Sequence, residues 1–151
     1  MKTIKKHLFS TRDLLEKLLN AENMKMFFKR YEIPKERVSF HEYINSICAE
    51  KGLEIYQVIE EAGIDPEYGR QIYRGIRKPS RDKTIQLAIG MRMGYDETQK
   101  LLRAARKDEL YPYVQRDAAV IFAINNALNY RKTQEKLKEL SLPVLGQDKK
   151  L

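Results

Sequence analysis

Apolar positions recur at helical spacing along almost the whole chain, and most runs are bracketed by residues that start or stop helices. Ser10-Thr11-Arg12-Asp13 precedes Leu14, Leu15, Leu18 and Leu19, a polar cap followed by an apolar stripe. Met24, Met26, Phe27 and Phe28 predict a second, shorter helix that stops before Pro34, since a proline pushes the residue ahead of it out of the helical region. These two form an N-terminal helical extension over 1–35, and Lys35-Glu36-Arg37-Val38 reads as the linker to a main domain.

The next signal is the clearest. Ser39 and Glu42 stand in capping-box register, Phe40, Tyr43, Ile44, Ile47 and Cys48 mark one apolar face, and Gly52 supplies a left-handed stop, which predicts a helix over 40–51. A helix from Glu54 to Ala62 turns Val58, Ile59 and Ala62 inward, Gly63-Ile64 turns the chain, and Asp65-Pro66 opens a helix that ends at Gly75. Ser80-Arg81-Asp82 begins a helix expected to end at Gly94, Asp96 with Gln99 begins another, and Tyr111-Pro112 separates it from one starting near Arg116-Asp117. A last helix spans about Arg131 to Leu140. No segment alternates with period two, so the expected class is all-α, with a main domain over 36–110, a helical hairpin over 111–142 and a tail over 143–151.

Sliding the chain against itself by 35 residues reveals a second level of order. Arg81-Asp82 falls on Arg116-Asp117, Ala88-Ile89 on Ala123-Ile124, Tyr95 on Tyr130, Thr98-Gln99 on Thr133-Gln134 and Leu102 on Leu137, eight identities between 81 and 102 and their counterparts. Two helical hairpins therefore share one design and are expected to stack. Repeat solenoids usually need about three units or more, so a pair points to a local duplication.

Composition narrows the function classes. At 151 residues the chain suits one well-cored domain with an appendage. A single cysteine, Cys48, excludes an internal disulfide framework and a cysteine-rich zinc site. No run approaches the roughly 18 apolar residues of a membrane span, and the start, Met1-Lys2-Thr3-Ile4-Lys5-Lys6-His7, has no apolar core behind its charges, so a cytoplasmic location is expected. The net charge of +8 is unevenly spread: +5 over 1–35, −6 over 36–69, +8 over 70–107 and +1 over 108–151. A basic stretch of that density, ordered on one face, is the footprint of a polyanion binder, and a solvated surface is its bland alternative.

The segment from Gly52 to Ser80 carries the chemistry. A short helix, a turn containing Gly63, a second helix and a closing glycine make a helix-turn-helix, whose second helix can enter the major groove of DNA. With Gly52, Val58-Ile59, Gly63-Ile64, Ile72, Arg74-Gly75-Ile76-Arg77-Lys78-Pro79-Ser80, Leu87, Ala88, Ile89, Met93 and Gly94-Tyr95 in place, residues 40–107 resemble the phage-repressor-like (Xre) helix-turn-helix family. The resemblance implies a lambda-repressor-like five-helix domain, sequence-specific binding of double-stranded DNA, transcriptional regulation and a homodimer on paired half-sites. The chain departs from the family pattern in four places. Glu54-Ile55 replaces the usual Ser or Thr followed by Gln, Tyr73 replaces a usual Glu, Gly69 replaces an apolar core residue, and Asp65-Pro66-Glu67 begins the reading helix with negative charge.

At about 100° per residue, Glu67, Arg70, Gln71 and Arg74 share one face, with Tyr68, Gly69 and Ile72 turned towards the core. Arginine pairs with guanine and glutamine with adenine in bidentate fashion, and Glu67 can accept from a cytosine amine or orient Arg70, so Glu67, Arg70 and Gln71 are the candidate base readers. Arg74, Arg77, Lys78 and Arg81 are the candidate phosphate clamps. Either the helix reads through these later residues, or the surface serves another partner. That second reading, an antitoxin-like, phage-inhibitor-like or adaptor module meeting an acidic protein, draws on the acidic helix start. His41 and Cys48 do not make a convincing nucleophile pair, because Cys48 lies on the apolar stripe, and His7 and His41 alone make no metal site. No enzyme, metal or cofactor is expected.

Overall fold

The computed structural model describes residues 10–148, which are all-α: nine helices and no strand among the described residues. The lysine-rich start with His7, and the last residues of the predicted tail, lie outside them. The chain divides into two compact units, Met1–Val38 and Ser39–Leu151. The first holds α1 (Thr11–Leu19) and α2 (Met24–Arg30), begun by Ser10 and Asn23, whose side-chain oxygens accept from the Asp13 and Met26 amides. Helix α1 buries no residue, whereas α2 buries Phe27, whose ring lies 4.7 Å from that of Tyr31.

The second unit contains α3 (Phe40–Lys51), α4 (Ile55–Glu61), α5 (Pro66–Tyr73), α6 (Arg81–Gly90), α7 (Tyr95–Ala104), α8 (Gln115–Asn125) and α9 (Tyr130–Glu139). Ser39, Asp65, Ser80 and Asn129 each cap a helix through the side chain, as their residue types favour. Helix α6 is the centre of the unit, buried from Thr84 to Gly90. Its Leu87 and Ala88 join Ile44, Val58, Ile72, Met91 and Leu101 in one core. Its Ile85 and Ile89 join Leu102, Val120, Ile124, Leu137 and Leu145 in another. Each such Leu, Ile, Val or Met side chain, fully buried, stabilises the fold by about 1.5–3 kcal/mol.

One boundary differs from the sequence expectation. Helix α6 stops at Gly90, Arg92 takes a left-handed φ of 56°, and Gly94 is the N-cap of α7 with its N–H accepted by Glu97. Glycine serves both ends of helices, so Gly94 alone did not distinguish them.

The 35-residue duplication is written into the hydrogen bonding. Gln99 pairs both atoms of its amide with the backbone N and O of Leu110, at 2.8 and 2.9 Å, and Gln134 does the same with Leu145 at the same distances. Gln99 and Gln134 also donate to Tyr95 and Tyr130. Arg81 donates to the carbonyls of Asp108 and Glu109, and Arg116 to those of Pro143 and Val144. The ion pairs then cross over, Arg81 to Asp117 at 2.9 Å and Arg116 to Asp82 at 2.8 Å. Helix α6 meets α9 as α7 meets α8. The two hairpins thus clasp each other reciprocally, as about a two-fold axis, and close instead of continuing as a solenoid.

Candidate nucleic-acid interface

Helices α4 and α5 are joined by a turn in which Gly63 has a φ of +69°, a conformation that side chains resist. The Tyr130 ring of α9 occupies the space a side chain at Gly63 would need, so the second hairpin braces this turn. Asp65 then caps α5 by accepting from the Tyr68 amide at 3.1 Å, with Pro66 in the first turn. Gly69 lies against the Ile59 side chain of α4, and any larger residue would push the two helices apart. The missing apolar side chain at this position is thus a close helix contact.

The inner face of α5 is secured at its C-terminal end. Gly69, Ile72 and Tyr73 are buried. The Tyr73 hydroxyl lies 3.4 Å from Cys48 Sγ, and Asn45 Nδ2 donates to the Tyr73 carbonyl at 2.8 Å. Burial pushes both the Tyr73 phenol and the Cys48 thiol above their ordinary ranges, so both stay protonated and Cys48 is a core thiol. Asn45 was not singled out by sequence reasoning. It is a polar residue beside an apolar stripe, and only the fold shows that it meets the end of α5.

The outer face carries a connected row of polar groups. Glu67 accepts from Arg70 at 2.7 Å and from Gln71 Nε2 at 3.5 Å, and Gln71 Oε1 accepts from Arg77 Nε at 2.9 Å. The Arg77 guanidinium lies 4.8 Å from the Tyr68 ring centre, and Lys83 Nζ reaches the same ring at 5.8 Å. The hydrogen bond and charge of Arg70 hold the Glu67 carboxyl below the usual carboxylate range. Arg74 and Lys78 are exposed and make no ion pair among the described residues. Backbone N–H groups of Ile76 and Arg77 both bond the Gln71 carbonyl, which curls the loop back over the end of α5. Ile76 is 69 % exposed beside these cations.

The structure therefore brings Glu67, Arg70, Gln71 and Arg77 together through hydrogen bonds, with the Arg74 charge acting on Glu67, while Lys78 is exposed on the loop directly after Arg77. Arg81 stands apart from that expectation: its guanidinium is spent on Asp117 and two carbonyls, which makes it a clasp between hairpins. Its residue type and its place after the loop suggested a phosphate ligand, and only the crossing of the duplicated Arg-Asp pairs shows the other use. Lys83 and Tyr68 are the members of this surface that sequence reasoning did not assign to it.

No family model matches the chain, and neither the curated proteins nor the solved structures contain a match to it. Among the described residues no helix is long and apolar enough to cross a membrane.

Proposed function

We propose that the chain binds double-stranded DNA in a sequence-specific manner and regulates transcription, with α4 and α5 as a lambda-repressor-like helix-turn-helix and α5 in the major groove. The observation that carries this reading is the division of α5 into a buried face, Gly69, Ile72 and Tyr73, and an outer face on which Arg70, Gln71 and Arg74 run into the Arg77-Lys78 loop. Arg70 and Gln71 have the chemistry to read guanine and adenine, with Glu67 orienting both. Arg74, Arg77 and Lys78 are the phosphate ligands. A homodimer on paired half-sites belongs to the proposal, and exposed Leu15, Leu19, Met26 and Phe28 offer an apolar surface for it.

Selection of bound sequences from a random duplex library tests the reading, which expects an enriched motif. On that motif log Kd rises linearly with log salt, by about 0.9 per neutralised phosphate. Replacing Arg74, Arg77 and Lys78 together with alanine flattens the slope by roughly 2–3, while Arg70→Ala relaxes sequence preference. One observation favours a second reading, a module for an acidic protein partner: α5 begins with exposed Asp65 and Glu67. Absence of any enriched sequence would select that reading.

A further inference from the structure

The loop after α5 grips Gln71 twice through one residue. The Arg77 backbone N–H donates to the Gln71 carbonyl, and Arg77 Nε donates to Gln71 Oε1 at 2.9 Å. On the other side Gln71 Nε2 donates weakly to Glu67 Oε1 at 3.5 Å, while Arg70 holds the second oxygen of that carboxylate at 2.7 Å. The Arg77 guanidinium is itself placed, 4.8 Å from the centre of the Tyr68 ring. That ring is half-buried and packs against the core that α5 shares with α3, α4, α6 and α7.

These neighbours determine which way the Gln71 amide faces. An arginine can only donate and a carboxylate can only accept, so Oε1 turns to Arg77 and Nε2 to Glu67. The reversed amide would set donor against donor and acceptor against acceptor. Reading adenine requires a fixed order of this kind, because the base presents its N6 amine as donor beside N7 as acceptor. An amide oxygen has two lone pairs and an amide nitrogen two N–H groups, and the row of contacts uses one of each. One lone pair and one N–H therefore remain for a base edge. Arg77 donates from Nε, and its Nη groups make no hydrogen bond among the described residues, so a phosphate can be held without releasing Gln71.

Resting on the DNA-binding reading, we propose that Arg77 is a specificity-determining residue and Tyr68 its positioning residue, the two together setting the Gln71 amide in the order that reads adenine. The test uses the full chain and the duplex it enriches from a random library, with substitutions at the base pair whose preference Gln71→Ala abolishes. Arg77→Lys keeps the charge but lacks the planar fork that donates from Nε and lies on a ring. It should keep the salt slope while cutting discrimination at that base pair roughly three- to tenfold and leaving other positions unchanged. In a Gln71→Ala background the same change should have no further effect at that pair. Tyr68→Leu should act like Arg77→Lys, whereas Tyr68→Phe, which keeps the ring, should match the parent, with Tm recorded for each to separate folding from reading. If Arg77→Lys leaves discrimination intact or weakens all sequences equally, Arg77 is a phosphate ligand alone, and its specificity role is overturned while the DNA reading stands. If Tyr68→Phe loses as much discrimination as Tyr68→Leu, the ring does not position Arg77. If no sequence is enriched, the DNA reading fails and both roles fall with it.

Discussion

At the scale of single residues, the buried Asp82 is the most exacting position in the fold. Burial alone raises its carboxyl, but hydrogen bonds and charge from Arg116, with the Gly146 and Gln147 amides, outweigh this and hold it below the ordinary value. A carboxyl depressed in the folded state contributes stability above its unfolded value of about 4, and loses it as pH falls through the folded value. Asp82→Asn leaves Arg116 charged and short of its partner, at a cost of about 3–5 kcal/mol near neutral pH. Denaturant melts of both proteins between neutral pH and pH of about 3 should show the gap narrowing below about pH 4. A gap independent of pH would mean that the carboxylate charge is not what holds the hairpins. The residue scale is also where the sequence misled, for Arg81 and Arg116 look alike beside any other surface arginine. Their partners lie 36 and 34 residues away, and no local pattern encodes a crossing between two copies of one motif.

Among elements, the helix starts at Ser10, Ser39, Asp65 and Ser80 were legible, because capping is a local interaction written within three residues, whereas the caps at Asn23 and Asn129 were not singled out. Ends were less legible. Arg92, Arg106, Ala127 and Ser141 all turn left-handed just beyond a helix, again in pairs 35 apart, and none is the glycine that such a turn usually announces. The duplicated hairpin was visible as identities, but its attachment to the α4–α5 turn was not, since it rests on one ring against one glycine. Gly63→Ala should therefore destabilise the protein by roughly 1–3 kcal/mol, from the positive φ together with the displaced Tyr130 ring. Combining it with Tyr130→Ala should cost less than the sum of the two single changes, because the collision is then absent. Strict additivity in the melts would show that the second hairpin does not brace the turn.

For the whole molecule, the +8 over 70–107 overstates the charge that this segment offers to a partner. Arg70, Arg81, Arg92 and Arg103 are paired with Glu67, Asp117, Glu61 and Glu109, which leaves Arg74, Arg77 and Lys78 at the end of α5, and Lys83, Lys100, Arg106 and Lys107 elsewhere, without an ion pair among the described residues. Position within the fold, not the total, gives the basic stretch its meaning, and the cores show which part of the chain that fold requires. Both consist only of residues from Phe40 onward, while the first unit buries Phe27 and leaves α1 without a buried residue. A variant beginning at Ser39 should accordingly keep a single cooperative melt, with Tm within a few degrees of the full chain's, since no side chain of either core cluster is lost. It should also keep the salt slope assigned to Arg74, Arg77 and Lys78 if those residues, and not the lysines of the first unit, meet the phosphates. A slope that falls on removal of the first unit and is insensitive to the three-residue alanine variant would relocate the polyanion site to the N-terminal helices, even if the melt were unchanged.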